Sequence, residues 1–293
     1  MQYVIHLLIT LNIYVILAIS LDLLVGFAGL ISLAQAAFFG VGAYTSALMT
    51  INGVPPFVAI AAGMFCAAAL SGAIALPALR VRGIHLLIIT IAVQIVTTLL
   101  LVNWADVTGG SAGVPGIPRL SIFGMPLSGV SFLSFATVCS VFVYFVMWRL
   151  LRSPYGKLLQ AMRDDEIGCV ALGKNVAAMK ISAFAVSGAI AAFAGSLYAH
   201  YVTYVDPRSF DISISILILL MVMLGGAGTL RGPVLGAALL LALPELLKFV
   251  PLPLGVGAAL RQLAYGLILV LVVFVRPEGL LGHRRTADAG TSA

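Results

Sequence analysis

The first 79 residues carry a single Asp, Glu, Lys or Arg, which is Asp22. The shortage runs the whole length: charged residues make up 9% of the chain, against about 25% in an ordinary soluble domain. Hydrophobic residues make up 62%, and mean hydropathy is +1.16, so no stretch has the composition of a soluble domain. About twenty apolar residues cross a bilayer as a helix, in which every backbone polar group is satisfied internally. The pattern predicts an all-α, polytopic helical integral membrane protein with about nine membrane segments. They fall near residues 3–21, 26–49, 57–79, 84–102, 130–149, 180–202, 211–228, 232–250 and 258–275. A membrane barrel is excluded, because the apolar runs are long and continuous instead of roughly ten-residue alternating strands.

The second segment differs from the others. Gly26, Gly29, Gly40 and Gly42 interrupt it, with Ser32 and Gln35 between them. That pattern predicts a broken or re-entrant helix, which a membrane tolerates only where protein or a cavity surrounds it.

Lys and Arg collect in cytoplasmic loops. Arg80, Arg82, Arg231, Arg276, Arg284 and Arg285, together with a basic stretch at 149–180, therefore mark one face as cytoplasmic. Nine spans then place the N-terminus outside and the C-terminus inside, with the first span retained and residues 283–293 forming a disordered cytoplasmic tail. The net charge of +6 follows from this bias and not from nucleic-acid binding. Three cysteines without ligand spacing indicate neither a disulfide framework nor a metal site. The loop at 103–129 falls outside and is too rich in Gly and Pro for regular structure.

Within residues 1–282, the membrane domain, the polar island of the inner loop at about 150–180 stands out. Arg149 to Lys180 holds six of the sixteen Lys and Arg residues, and Asp164, Asp165 and Glu166 in succession. Ser153-Pro154 predicts a helix start. A second short helix is expected to begin with Asp164 as N-cap, with Asp165 and Glu166 in its first turn and Gly173 ending it. A separately capped helix on the cytoplasmic face has the form of a docking element.

Other chemistries find little support. The four lysines are followed by Leu158, Asn175, Ile181 and Phe249, so none completes the phosphate loop that ends in Lys and Ser or Thr. The Gly-rich run 225–232 lacks that lysine and suits close helix packing. Secondary transporters carry ionisable residues deep in their spans. Here Asp22 falls at a span end, which leaves a cap or interface role and a functional one both open, while for Glu245 and His200, near outer ends, structural hydrogen bonding is expected first. The four histidines have no paired carboxylate or cysteine at ligand spacing, and neither G-x-S-x-G nor H-E-x-x-H occurs.

Several stretches resemble the permease family of branched-chain amino acid ABC importers, in particular the LivM-type member of its two-permease pair. They include residues 21–44, Arg80-Val-Arg-Gly-Ile84, Thr108-Gly-Gly-Ser111, Ser153-Pro-Tyr-Gly156, Arg163-Asp-Asp-Glu-Ile167, Leu197-Tyr-Ala-His-Tyr201, residues 224–236 and Arg276-Pro-Glu-Gly-Leu-Leu281. The resemblance covers nearly the whole chain in order. Departures are Asp22 where the family usually has Asn, Ala34-Gln35 for Gly-His, His85 for an aromatic and Gly168-Cys169 for Ala-Ala.

The resemblance implies a non-catalytic permease for branched-chain amino acids or a related small polar solute. It implies a heterodimer with a second permease, two cytoplasmic ATPases that hold the ATP and Mg, and an extracytoplasmic solute-binding protein, all at a prokaryotic inner membrane. The chain itself would need no cofactor, metal or nucleic acid, and lipid would be its other contact. Coupling to the ATPases is expected at Arg163, Asp164, Asp165, Glu166, Ile167, Leu172 and Gly173. The translocation path or gate is expected to include Ser32, Gln35, Phe38 and Gln94. A stand-alone ion-coupled transporter or channel is the rival reading, and it needs no docking face on the inner loop.

Overall fold

A computed structural model of the chain describes residues 2–78, 84–122, 125–248 and 280–281. Helix α1 (Gln2–Asp22) runs into a π turn at Leu23–Phe27, and α2 (Gln35–Ile51), α3 (Pro56–Ala78) and α4 (Ile84–Asn103) follow. A short helix α5 (Ala105–Thr108) and strands β1 (Val114–Pro115), β2 (Ser121–Ile122) and β3 (Met125–Pro126) lead to α6 (Val130–Arg152). Then come α7 (Pro154–Asp164), α8 (Glu166–Ala171), α9 (Val176–Val202), β4 (Tyr204–Val205), α10 (Ile212–Gly225) and α11 (Arg231–Lys248). Among the described residues six helical stretches are long and apolar enough to cross a membrane. The expected second and eighth segments are the shorter helices α2 and α11, and the expected ninth, 258–275, lies outside the described residues.

The core is a three-helix contact of α2, α3 and α9, and small residues make it possible. A Cβ on Gly42 would strike the backbone of Ala192, one on Gly195 the carbonyl of Phe39, and one on Gly188 the side chain of Ser71. Between lipid-embedded helices there is no hydrophobic drive to associate, so close van der Waals approach supplies much of the attraction. Helix α1 packs beside α9 and α6.

The expected break is present. The π turn closes with the Ala28 N–H on the Leu23 carbonyl at 3.0 Å, and Gly29 then takes φ +71°, which ends the helix. Residues 28–34 run without helix, and α2 starts again at Gln35. His6 at the start of α1 meets Tyr201 at the end of α9, while Gly29 lies against Arg163 at the opposite face. Gln35, by contrast, bonds Ser187 near the middle of α9. Helix α2 therefore begins halfway through the bundle, between α1, α4, α9 and α10. Non-helical backbone at such depth requires surrounding protein to satisfy it, and it has that protein.

The Gly- and Pro-rich loop is more ordered than its composition led us to expect. Gly109, Gly110, Gly113 and Gly116 all take positive φ, which only glycine adopts without strain. The turns they make bring Val114 opposite Val205 in an antiparallel pair. His200 pins the same loop, with Nδ1 2.8 Å from the Pro118 carbonyl and Nε2 2.9 Å from Ser46 Oγ. Buried His200 thereby links α9 to α2 and to the loop. Glu245 likewise accepts a hydrogen bond from Tyr3.

Candidate coupling loop and buried polar seam

Helices α7 and α8 form the loop between α6 and α9. Ser153 is the N-cap residue of α7, but its hydroxyl donates to the Leu150 carbonyl at 2.6 Å instead of capping. One face of α7 buries Leu159 and Met162, and the Tyr155 hydroxyl lies 2.9 Å from Ser182 Oγ on α9. Burial pushes the Tyr155 phenol above its ordinary range.

The cap of α8 falls one residue later than expected. The N–H of Asp165 still bonds the Ala161 carbonyl at 2.8 Å, so α7 keeps Asp164 as its last residue. Asp165 turns extended and caps α8, accepting from the Gly168 N–H at 2.9 Å. Glu166 opens the helix, where a carboxylate complements the dipole, and pairs with Lys180 Nζ at 2.8 Å. Gly173 at φ +72° ends the element.

The expected coupling residues therefore divide. Asp165, Glu166 and Gly173 build the loop. Asp164 pairs with Arg163 at 3.1 Å, and the Arg163 side chain is only 22% exposed because it turns inward. What α8 presents outward is apolar: Ile167 is 70% exposed, Val170 58% and Leu172 78%. Val170 escaped the sequence reading, although its place one turn after Ile167 could have revealed it.

The expected path residues form a closed seam at the start of α2. Gln35 donates to Ser20 and, at 3.4 Å, to Ser187, while its Oε1 has no partner among the described residues. The Ser187 hydroxyl in turn donates to the Ser20 carbonyl at 2.7 Å. Ser32 Oγ accepts from the Ala34 N–H at 3.3 Å, and Thr90 Oγ1 accepts from the Leu33 N–H at 3.1 Å. Gln94 Oε1 accepts from the Ala37 N–H at 2.7 Å and Ser215 Oγ from the Ala36 N–H at 2.9 Å.

Ser32, Gln35 and Gln94 thus come together with Ser20, Thr90, Ser187 and Ser215. The latter four went unnoticed because isolated hydroxyls in apolar spans carry no pattern. Phe38 sits one turn along, fully buried in the core. A neighbouring apolar cavity of about 570 Å³ between α2, α3 and α4 is lined by Tyr44, Val93, Thr97 and Trp104, and by none of the seam residues. Replacing Gln94 with Leu strands the Ala37 N–H in the core, at about 1–3 kcal/mol for a buried unsatisfied group. The expected result is a lower unfolding midpoint in a detergent titration. An unchanged midpoint would show that the seam does not hold α2 to α4.

Asp22 is buried at the end of α1, where Oδ1 accepts from the Gly228 N–H at 2.8 Å and ties α1 to the α10–α11 turn. Residues 3–275 match the family described as "Branched-chain amino acid transport system / permease component". The chain belongs to this family.

The permease is 34% identical over 298 residues to the high-affinity branched-chain amino acid transport system permease protein LivM of Escherichia coli K12, covering 93% of this chain and 68% of that one. It is 29% identical over 210 residues to a probable branched-chain amino acid transport permease protein LivM of Methanocaldococcus jannaschii, covering 69% and 60%. The autoinducer 2 import system permease protein LsrC of Escherichia coli O9:H4 is 29% identical over 173 residues, covering 57% and 48%. No solved structure gives a significant match. Membership makes the permease a multi-pass membrane protein, in keeping with its six long apolar helices.

Proposed function

We propose that the permease is the membrane subunit of an ABC importer for branched-chain amino acids or a related small polar solute. A second permease, two cytoplasmic ATPases and an extracytoplasmic solute-binding protein complete the importer, and ATP and Mg belong to the ATPases. The face bearing α7 and α8 is cytoplasmic in this reading, with the N-terminus on the other side. The observation that carries it is α8: a six-residue helix with its own cap and stop, strapped to α9 by Glu166–Lys180, with three apolar side chains outward.

Nucleotide-driven closure of the ATPases would move this helix and open the α2 seam alternately to either side. The permease can be shifted only by the difference in binding between nucleotide states. Gln35, with an unspent buried acceptor, and Gln94 would line the path once the seam parts. The stand-alone transporter is disfavoured by the engagement of Asp22, Lys180 and His200 in links between structural elements.

Purification from native membranes in mild detergent, followed by mass spectrometry, tests the reading. Two ATPases and a second permease should accompany the chain, and leucine uptake into vesicles should need ATP. A chain that purifies alone and moves solute without ATP would sink it.

A further inference from the structure

We propose that Arg163 is a positioning residue that carries motion of the α7–α8 loop into the two helix breaks of the membrane layer. The inference rests on the importer reading but assigns Arg163 a different role from docking. Arg163 sits in the last turn of α7, two residues before the cap of α8, so displacement of α8 is felt there first. Its Nη1 donates to the carbonyl of Gly26 inside the π turn. That carbonyl lies at the end of a helix, where acceptors lack intrahelical partners and a cation is favoured. The bond is charge-assisted, which makes it about twice as strong as a neutral one.

The stem of Arg163 is held as closely as its head. A Cβ added to Gly29 would fall 2.6 Å from Arg163 Cγ, and one added to Gly228 would fall 3.3 Å from Nη1. Both glycines take positive φ, +71° and +82°. Gly228 in turn donates its N–H to Asp22, and a Cβ on Gly26 would strike both Asp22 and Gly228. Backbone from the α1–α2 break and from the α10–α11 turn thus converges on one guanidinium. Residues 28–34 lead from there directly to the seam at Gln35. The apolar residues of α8 grip the ATPase, and Arg163 transmits the pull.

The test reads motion at the break without needing the solute. Ser32→Cys is introduced in a background lacking Cys66, Cys139 and Cys169, within the purified complex. Its reaction rate with N-ethylmaleimide is compared with and without ATP and vanadate. With Arg163 present the rate should change at least about fivefold, the lower end of ordinary coupling between sites. Arg163→Met keeps much of the stem but loses the donor, and it should abolish the change while the ATPases stay bound. Arg163→Lys should restore part of it.

A nucleotide response in Arg163→Met equal to that with arginine overturns the proposal, as does a Ser32→Cys rate insensitive to nucleotide in both backgrounds. Loss of the ATPases from Arg163→Met also overturns it, in favour of direct docking. If Arg163→Met does not accumulate, Arg163→Gln decides, since it keeps a polar head but loses the charge and the reach: a full response with the ATPases bound refutes transmission. A parent chain that retains no ATPase would instead fail the importer reading.

Discussion

Replacing Ile167 and Leu172 together with aspartate should release the permease from the ATPases proposed to dock on α8 and leave the permease folded. Both side chains project from α8 and bury almost nothing within the chain, at 70% and 78% exposed. Their loss therefore costs the isolated fold little, since surface substitutions away from special features usually stay within about 0.5 kcal/mol. In an interface the same residues act as apolar anchors. Where such a side chain is a hot spot of the interface, truncating it costs about 2 kcal/mol or more, and a charge in its place must also be desolvated. Two such losses, if additive, weaken association by about a thousandfold.

Co-purification from nanodiscs, with binding of added ATPase measured by titration, checks the result. Wild-type affinity in the double variant would remove α8 as the docking element. Reversing the acids is a poorer experiment than their polarity suggests. Asp165 caps α8 and Glu166 straps it to Lys180, so their reversal would disrupt the loop itself and could not report on docking alone.

That contrast shows what could be read from the chain and what could not. The long spans were legible because the cost of exposing a polar backbone to lipid forces continuous apolar runs. The break before α2 was legible because glycine and serine cluster at 26–35, where helix propensity fails. The two-helix parse of the loop was also legible, but it placed the α8 cap at Asp164 instead of Asp165, since either aspartate can cap, and it expected a capping hydroxyl at Ser153. Direction was illegible. An arginine beside an aspartate in a polar loop looks exposed, yet Arg163 points inward because two glycines from distant segments, Gly29 and Gly228, leave room for it. The pairing of Val114 with Val205 was hidden for the same reason: it depends on residues about ninety positions apart. Ser20, Thr90, Ser187 and Ser215 became meaningful only when the start of α2 arrived among them.

Gly195→Leu should abolish accumulation of the folded permease, whereas Gly72→Ala should be tolerated. Both glycines lie within helices of the α2–α3–α9 core, so helix propensity alone favours replacement at either, by about 0.5–1 kcal/mol for Gly→Ala. Space decides between them. At Gly72 the nearest atom to an added Cβ is a methyl of Ile181 at 3.8 Å, an ordinary contact. At Gly195 the Cβ would overlap the Phe39 carbonyl and approach the Ala43 nitrogen at 3.0 Å. Overpacking costs about 1–3 kcal/mol where side chains can give way. Here the obstacle is backbone, so α2 must move bodily away from α9. That shift would loosen the Ser187–Gln35 and His200–Ser46 contacts and the close approach of Gly42 to Ala192. Folded protein recovered by size exclusion from equal cultures, with thermal unfolding of what remains, separates the two variants. If Gly195→Leu accumulates and melts like Gly72→Ala, close backbone approach is not what fixes the start of α2 in the membrane.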